Sequence, residues 1–196
     1  MKKIKCLLIS LIMLASSSLF AKDFDWSQCW CNYGAGIKPG TMSIDFAIGI
    51  NDDFFDTLEL EVDGAWSFPY MDLSFDIALP IWKLPLSWGG FIGTSFGGAS
   101  QPGVKTSLFF MSFGGHVKYH IMLPVKNLDV YAGIRMGAEI AYMKNKYHDV
   151  TNKSWDGTGF YFSSFLGAHY YLNDTFGFVL EFGYPVWAKA GVSIKF

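Results

Sequence analysis

Charge is scarce in this chain of 196 residues: Asp, Glu, Lys and Arg make up 16% of it, where about 25% is usual, and Arg occurs once, at Arg135. A nucleic-acid surface needs clustered Lys and Arg, and no such cluster follows the first five residues, so nucleic acid is excluded as a partner. Long apolar runs are missing as well. Beyond residue 21 there is no run of 18 apolar residues, which excludes a transmembrane helix. Cysteine is limited to three positions, with no CxxC repeat and no heptads. The glycine-rich Gly89 to Gly98 stretch lacks a following GK[ST], so it is no phosphate loop. What remains abundant is aromatic and small: 19 Phe, 21 Gly and an aromatic share of 18%.

Residues 1–21 read as a secretory signal. Lys2, Lys3 and Lys5 form its positive start, Cys6 to Leu14 its apolar stretch, and Ala15 to Ala21 a small-residue approach to cleavage. Nine apolar residues fall well short of the roughly 20 a spanning helix needs. Loss of the three lysines leaves 12 basic against 17 acidic residues, a charge of −5.

From Thr41 onward the chain alternates. Met42, Ile44, Phe46, Ile48 and Ile50 oppose Ser43, Asp45, Ala47 and Gly49, the period of two that marks a strand with unlike faces. The pattern recurs over residues 58–66, 71–79, 86–96, 109–121, 130–142, 162–172, 176–184 and 188–196, separated by turn-rich segments. Within spans, charges keep to one parity: Glu59, Glu61 and Asp63; Asp72 and Asp76; Arg135 and Glu139; Lys189 and Lys195. The polar parity is dominated by Gly, Ser and Ala, which suits a cramped lumen better than a water-facing exterior. Trp66, Tyr70, Trp88, Tyr142, Tyr170 and Tyr184 fall near strand ends, where interfacial girdles sit. Strands of about 10 residues tilted about 45° cross a bilayer. The expected fold is therefore an all-β, antiparallel, up-and-down transmembrane β-barrel over residues 41–196, preceded by an N-terminal segment 22–40.

The segment Trp187-Ala188-Lys189-Ala190-Gly191-Val192-Ser193-Ile194-Lys195-Phe196 resembles the closing strand of bacterial outer-membrane barrels, and Tyr170 to Asp174 resembles their turns. Asn127 to Gly133 is similar to small spirochaetal outer-membrane proteins. In size the chain is similar to OmpX and OmpW. The resemblance implies residence in a bacterial outer membrane among its lipids, with Phe196 as the signal read by the barrel assembly machinery.

Both termini of such barrels lie in the periplasm, which requires an even strand number. Nine spans are clear. Ten strands are expected, with Cys29 to Ile37 as the extra one, and eight is the alternative. In the ten-strand scheme Gly97 to Thr106 and Lys144 to Gly159 are outer loops, and the Asn51, Pro80 to Pro85, Pro124 and Asn173 turns are periplasmic.

Chemistry is sparse. Cys29 and Cys31 admit a disulfide, free thiols or a two-thiolate metal site, although i and i+2 on one strand lie near the limit of bridging distance. No further metal ligands accompany them, so neither a metal nor another cofactor is expected. His116, His120 and His169 share the lumen parity with Glu181 and Ser163. The His-x-Ser strand motif of outer-membrane lipid A deacylases has no counterpart, because Val117-Lys118 follows His116 and Tyr170-Tyr171 follows His169. Lumenal hydrogen bonding is the expected role. Arg135 is expected to reach across to Glu61 or Asp63, and Lys118 to neutralise Asp76 or Glu59. The chain reads as a non-enzymatic barrel with a structural or surface-interaction role, its extracellular ligand meeting residues 144–159. The alternative is a narrow channel or conduit for small solutes or apolar compounds, and a lipid-modifying enzyme comes last.

Overall fold

The computed structural model describes residues 37, 40–51, 66–79, 84–121, 123, 125–147 and 153–196. The expected signal, Cys29 and Cys31, the candidate tenth strand apart from Ile37, and Glu59, Glu61 and Asp63 lie outside the described residues. The strands are β1 (Met42–Asn51), β2 (Trp66–Ser67), β3 (Tyr70–Ala78), β4 (Leu86–Gln101), β5 (Val104–Ile121), β6 (Leu128–Tyr147), β7 (Lys153–Tyr171), β8 (Phe176–Tyr184) and β9 (Val186–Lys195). Each pairs antiparallel with its neighbour, and β1 pairs with both β3 and β9.

The ten-strand expectation is corrected by this pairing to eight staves. β1 hydrogen-bonds directly to β3, from Met42 opposite Ile77 to Gly49 opposite Tyr70. No further stave stands between them. β2 and β3 are one stave, bent at Phe68-Pro69. Both lie on β4, with Trp66 opposite Gly98 and Met71 opposite Thr94, so the register shifts by one residue at the bend. Proline has no N–H to give a ladder. Phe68 holds the bend by donating its N–H to the Phe96 carbonyl at 2.7 Å and accepting from Ser95 Oγ at 2.9 Å. The seam closes where Met42 and Phe196 exchange both backbone hydrogen bonds at 2.9 Å.

Closure requires stagger. Ala78, at one end of β3, aligns through Ser87, Lys118, Gly133 and Phe165 with Gly183 at the far end of β8. With eight staves, the Asn51 end of β1 falls at the end of the barrel that carries the β4–β5 and β6–β7 connections. The ten-strand scheme had put it at the other end, and that assignment is corrected too.

The faces are inverted relative to a soluble protein. Phe46, Ile48, Trp88, Ile92, Phe113, Val117, Ile134, Met136, Phe162, Phe178 and Phe182 are exposed, whereas the buried side chains are mostly Asp, Ser, His, Lys, Arg, Glu and Tyr, with a few apolar ones such as Phe91, Phe165 and Val179 among them. An apolar outer band around a polar interior is the arrangement of a barrel in lipid. Trp66, Trp88, Tyr142, Tyr170 and Tyr184 point outward. Tyr70 does not. It shares parity with Asp72 and Asp76, its ring fills the space that Gly93 leaves open, and its hydroxyl lies 2.9 Å from Ser112 Oγ inside the barrel.

The staves are unequal. β8, β9 and β1 run 9 or 10 residues, but β5, β6 and β7 run 18, 20 and 19. Ten residues at about 3.3 Å each, tilted about 45°, climb roughly 23 Å, close to the apolar band of such barrels. The long staves climb about twice that. The segments read as loops, Gly97 to Thr106 and Lys144 to Gly159, are therefore mostly strand: β4 runs to Gln101, β5 starts at Val104, β6 ends at Tyr147 and β7 starts at Lys153.

Candidate functional site

Two regions carry polar chemistry: the lumen, and the sheet that rises above the band. In the lumen the alternation delivers one charged or polar side chain after another from different staves to one axis. Asp45 comes from β1, Asp72 and Asp76 from β3, Ser87 from β4, His116, Lys118 and His120 from β5, Asp129 and Arg135 from β6, His169 from β7, Glu181 from β8 and Lys189 from β9. None is more than 5% exposed.

Arg135, Lys189, Asp72 and Glu181 form a closed four-membered ring of alternating charge. Arg135 Nη1 donates to Asp72 Oδ2 at 2.8 Å and Nη2 to Glu181 Oε2 at 3.1 Å. Lys189 Nζ donates to Asp72 Oδ1 at 3.1 Å and lies 2.5 Å from Glu181 Oε2. Tyr131 adds its hydroxyl to Glu181 Oε1 at 2.9 Å. The guanidinium is also sandwiched, 4.8 Å from the Phe165 ring centre and 5.2 Å from that of Phe91. Such stacking favours Arg over Lys at this position.

Below this ring lies a second cluster around Lys118. Its Nζ donates to Asp76 Oδ2 at 2.6 Å and to Asp45 Oδ2 at 3.3 Å, and sits 4.6 Å from the Tyr131 ring centre. Among the described buried residues five carboxylates face three Lys or Arg cations. Histidines stand where the cations run short. His169 bridges Asp45 at 3.1 Å and Asp129 at 3.2 Å, His120 meets Asp129 at 2.8 Å, and His116 meets Asp76 at 2.7 Å. Unpaired, each buried ion would cost several kcal/mol; the network offsets that cost by giving each ion a partner from another stave.

The structure thus brings Lys118, Asp76 and Arg135 into the lumen. The acids that meet Arg135 are Asp72 and Glu181, and its expected partners Glu61 and Asp63 lie outside the described residues. Asp45, Asp72, Asp129 and Lys189 were not singled out as site residues from sequence. Their only signal was parity, and Asp129 stands too close to a turn to show even that.

The line Asp129, His120, Ser87 has the order of a nucleophilic triad, with His120 Nε2 2.9 Å from Ser87 Oγ. Ser87 is 1% exposed and its Oγ also lies 3.3 Å from Asp76 Oδ1. Buried in this way, the line is a chain of hydrogen bonds within the lumen.

The second region is the raised sheet. β6 pairs with β7 from Asn145 opposite Lys153 down to Leu128 opposite Tyr170, whereas β8 joins β7 only from Ser164 onward. Over residues 153–163 one side of β7 has no neighbouring strand among the described residues. Beside this edge Phe160 is 71% exposed.

No protein-family model matches the chain, and no curated protein sequence matches it. Solved structures do. The attachment invasion locus protein Ail of Yersinia pestis, in complex with the heparin analogue sucrose octasulfate, superposes with a TM-score of 0.51 at 11% identity, covering 81% of this chain and 99% of Ail. OprG of Pseudomonas aeruginosa gives 0.45 at 14% identity over 84% and 99% of the two chains, and neisserial surface protein A gives 0.43 at 14% over 80% and 95%. At such identity the likeness to Ail speaks for the fold: this is the architecture of small bacterial outer-membrane β-barrels.

Proposed function

We propose that this outer-membrane β-barrel is a non-enzymatic surface-interaction protein, anchored by a lumen that its own side chains fill. The raised part of β4–β7 points away from the cell, because Met42, Phe196 and the Tyr171–Phe176 turn share the opposite end and short turns of such barrels are periplasmic. The observation that carries the reading is the edge of β7 over residues 153–163. A row of backbone N–H and C=O groups with no partner strand among the described residues is a template for an added strand, and here it is held out above the membrane by staves that exceed what crossing requires. The partner is an extended peptide segment that joins the sheet. A conduit needs water along the lumen, and the ionic side chains there are at most 5% exposed, which supports the interaction reading.

Proline tests the edge, because it deletes one N–H and blocks pairing. Of Gly157→Pro and Thr158→Pro, neighbours whose N–H groups point to opposite sides, one removes a bond to β6 and the other blocks the free side. Vesicles bearing the wild-type protein should bind extended peptides from an arrayed library, and the edge-blocking variant should lose that binding while still inserting. Equal binding by wild type and both variants, or discrete ion conductance of the wild type in planar bilayers, would overturn the reading.

A further inference from the structure

The outward face of β5 and β6 is continuous from the apolar band to the raised sheet, and its chemistry changes in layers. Val117 opposite Ile134 and Phe113 opposite Ala138 lie in the band; Phe109 opposite Tyr142 follows; above them Lys105 stands directly opposite Lys146, with Ser107 opposite Lys144 between. All three lysines are exposed. Like charges directly opposite on a strand pair destabilise it. The nearest acid of this face among the described residues is Asp156, opposite Tyr142, so three cations meet one anion.

Height decides what the lysines meet. Two residues along a stave tilted about 45° climb roughly 5 Å, which puts Lys144 about 5 Å and the Lys105–Lys146 pair about 10 Å above Tyr142. Tyrosine marks the edge of the hydrocarbon, and the headgroup layer beyond it is about 5–8 Å deep. A lysine's flexible stem reaches back several ångströms, so its ammonium snorkels into that layer.

We propose that Lys105, Lys144 and Lys146 form a docking face for the phosphates of anionic lipid headgroups in the leaflet around the raised sheet. The phosphates neutralise the opposed pair and tie the outer face of the sheet to the membrane surface. The peptide-binding edge of β7 does not enter this site, so the two readings stand or fall separately.

The test uses the full-length protein refolded into phosphatidylcholine vesicles containing spin-labelled phosphatidylglycerol or spin-labelled phosphatidylcholine, with the motionally restricted lipid fraction measured by electron paramagnetic resonance. Each lysine reaching a phosphate favours the anionic lipid about fivefold. The wild type should therefore hold phosphatidylglycerol several-fold in preference to phosphatidylcholine. The preference should vanish in the Lys105→Gln, Lys144→Gln, Lys146→Gln triple variant, and also near 1 M salt, where the screening length falls to about 3 Å. Insertion is checked by the heat-modifiable band on gels, and should the triple variant fail to insert, Lys146→Gln alone must lower the preference. No preference in the wild type, or a preference unchanged in inserted variants, overturns the proposal. Lysine-dependent retention on heparin without lipid preference would assign the face to a soluble polyanion instead and overturn it equally.

Discussion

Arg135 Nη1 lies 2.8 Å from Asp72 Oδ2, joining β6 to β3 across the lumen, with β4 and β5 between them in the wall. The bond replaces no backbone pairing and exists only when the barrel is closed. Arg135→Met removes the cation while keeping the apolar stem against Phe91 and Phe165. It leaves Asp72 with Lys189, and Glu181 with Lys189, the Tyr131 hydroxyl and, at 4.0 Å, Lys118; breaking a buried pair in this way costs about 3–5 kcal/mol. Urea unfolding of protein refolded in vesicles should show that loss; a change below about 1 kcal/mol would mean that water solvates the two acids individually.

The histidines are predicted to differ. His169 bridges two carboxylates on two staves, whereas His116 bonds Asp76 through Nε2, an acid that Lys118 and Ser87 also hold. His169→Leu should therefore destabilise the barrel by about 3 kcal/mol or more, and His116→Leu by about 1 kcal/mol. The same unfolding measurement ranks them, and the reverse order would show that the bridge carries no weight.

Phe196 closes the seam with Met42 through two backbone hydrogen bonds while its side chain is exposed toward lipid. Phe196→Asp leaves the backbone bonds available and costs the barrel little more than the burial of one ring. If the terminal aromatic is also what the assembly machinery reads, the amount of inserted protein in cells should fall more than tenfold, while unassisted refolding into detergent falls far less. Equal losses in the two settings would assign Phe196 a purely structural role.

The connection between β6 and β7 is predicted to face the medium. An epitope placed at Asn152 should be labelled on intact cells; labelling only after permeabilisation would invert the barrel and with it the assignment of the raised sheet.

The alternation made the faces readable because parity survives any error in counting: Asp72, Asp76, Lys118, Arg135 and Glu181 announce one side of their strands, and Phe46, Phe113 and Phe178 the other. Two things were not readable. Residues 58–66 alternate as well as any stave, yet the pairing of β1 with β3 is settled by the closure of the whole ring, which no local pattern records. The upper ends of β4 to β7, residues 97–101, 104–106, 144–147 and 153–159, look like loops in the sequence because the apolar parity stops at Phe109 and Tyr142, where the lipid stops, while the backbone ladder continues into water without it. Tyr70 was placed outside by its type, although its parity and the space left by Gly93 put it within. Which acid meets Arg135 depends on stagger around the barrel, a property of eight staves together.

The cross-lumen ring has a mechanical meaning. A hairpin pulled from its tip opens one rung at a time, each rung bearing the load alone, and the β6–β7 hairpin is the part of this protein most available to be pulled. Arg135 lies on that hairpin and is tied to β3 and β8, and Lys189 ties the same two acids to β9. Tension entering through β6 is therefore divided among four staves at one height before the next rung can open, as a rim shares its load through spokes. A surface contact under flow would meet the resistance of the barrel as a unit, and the buried charges are what make it one.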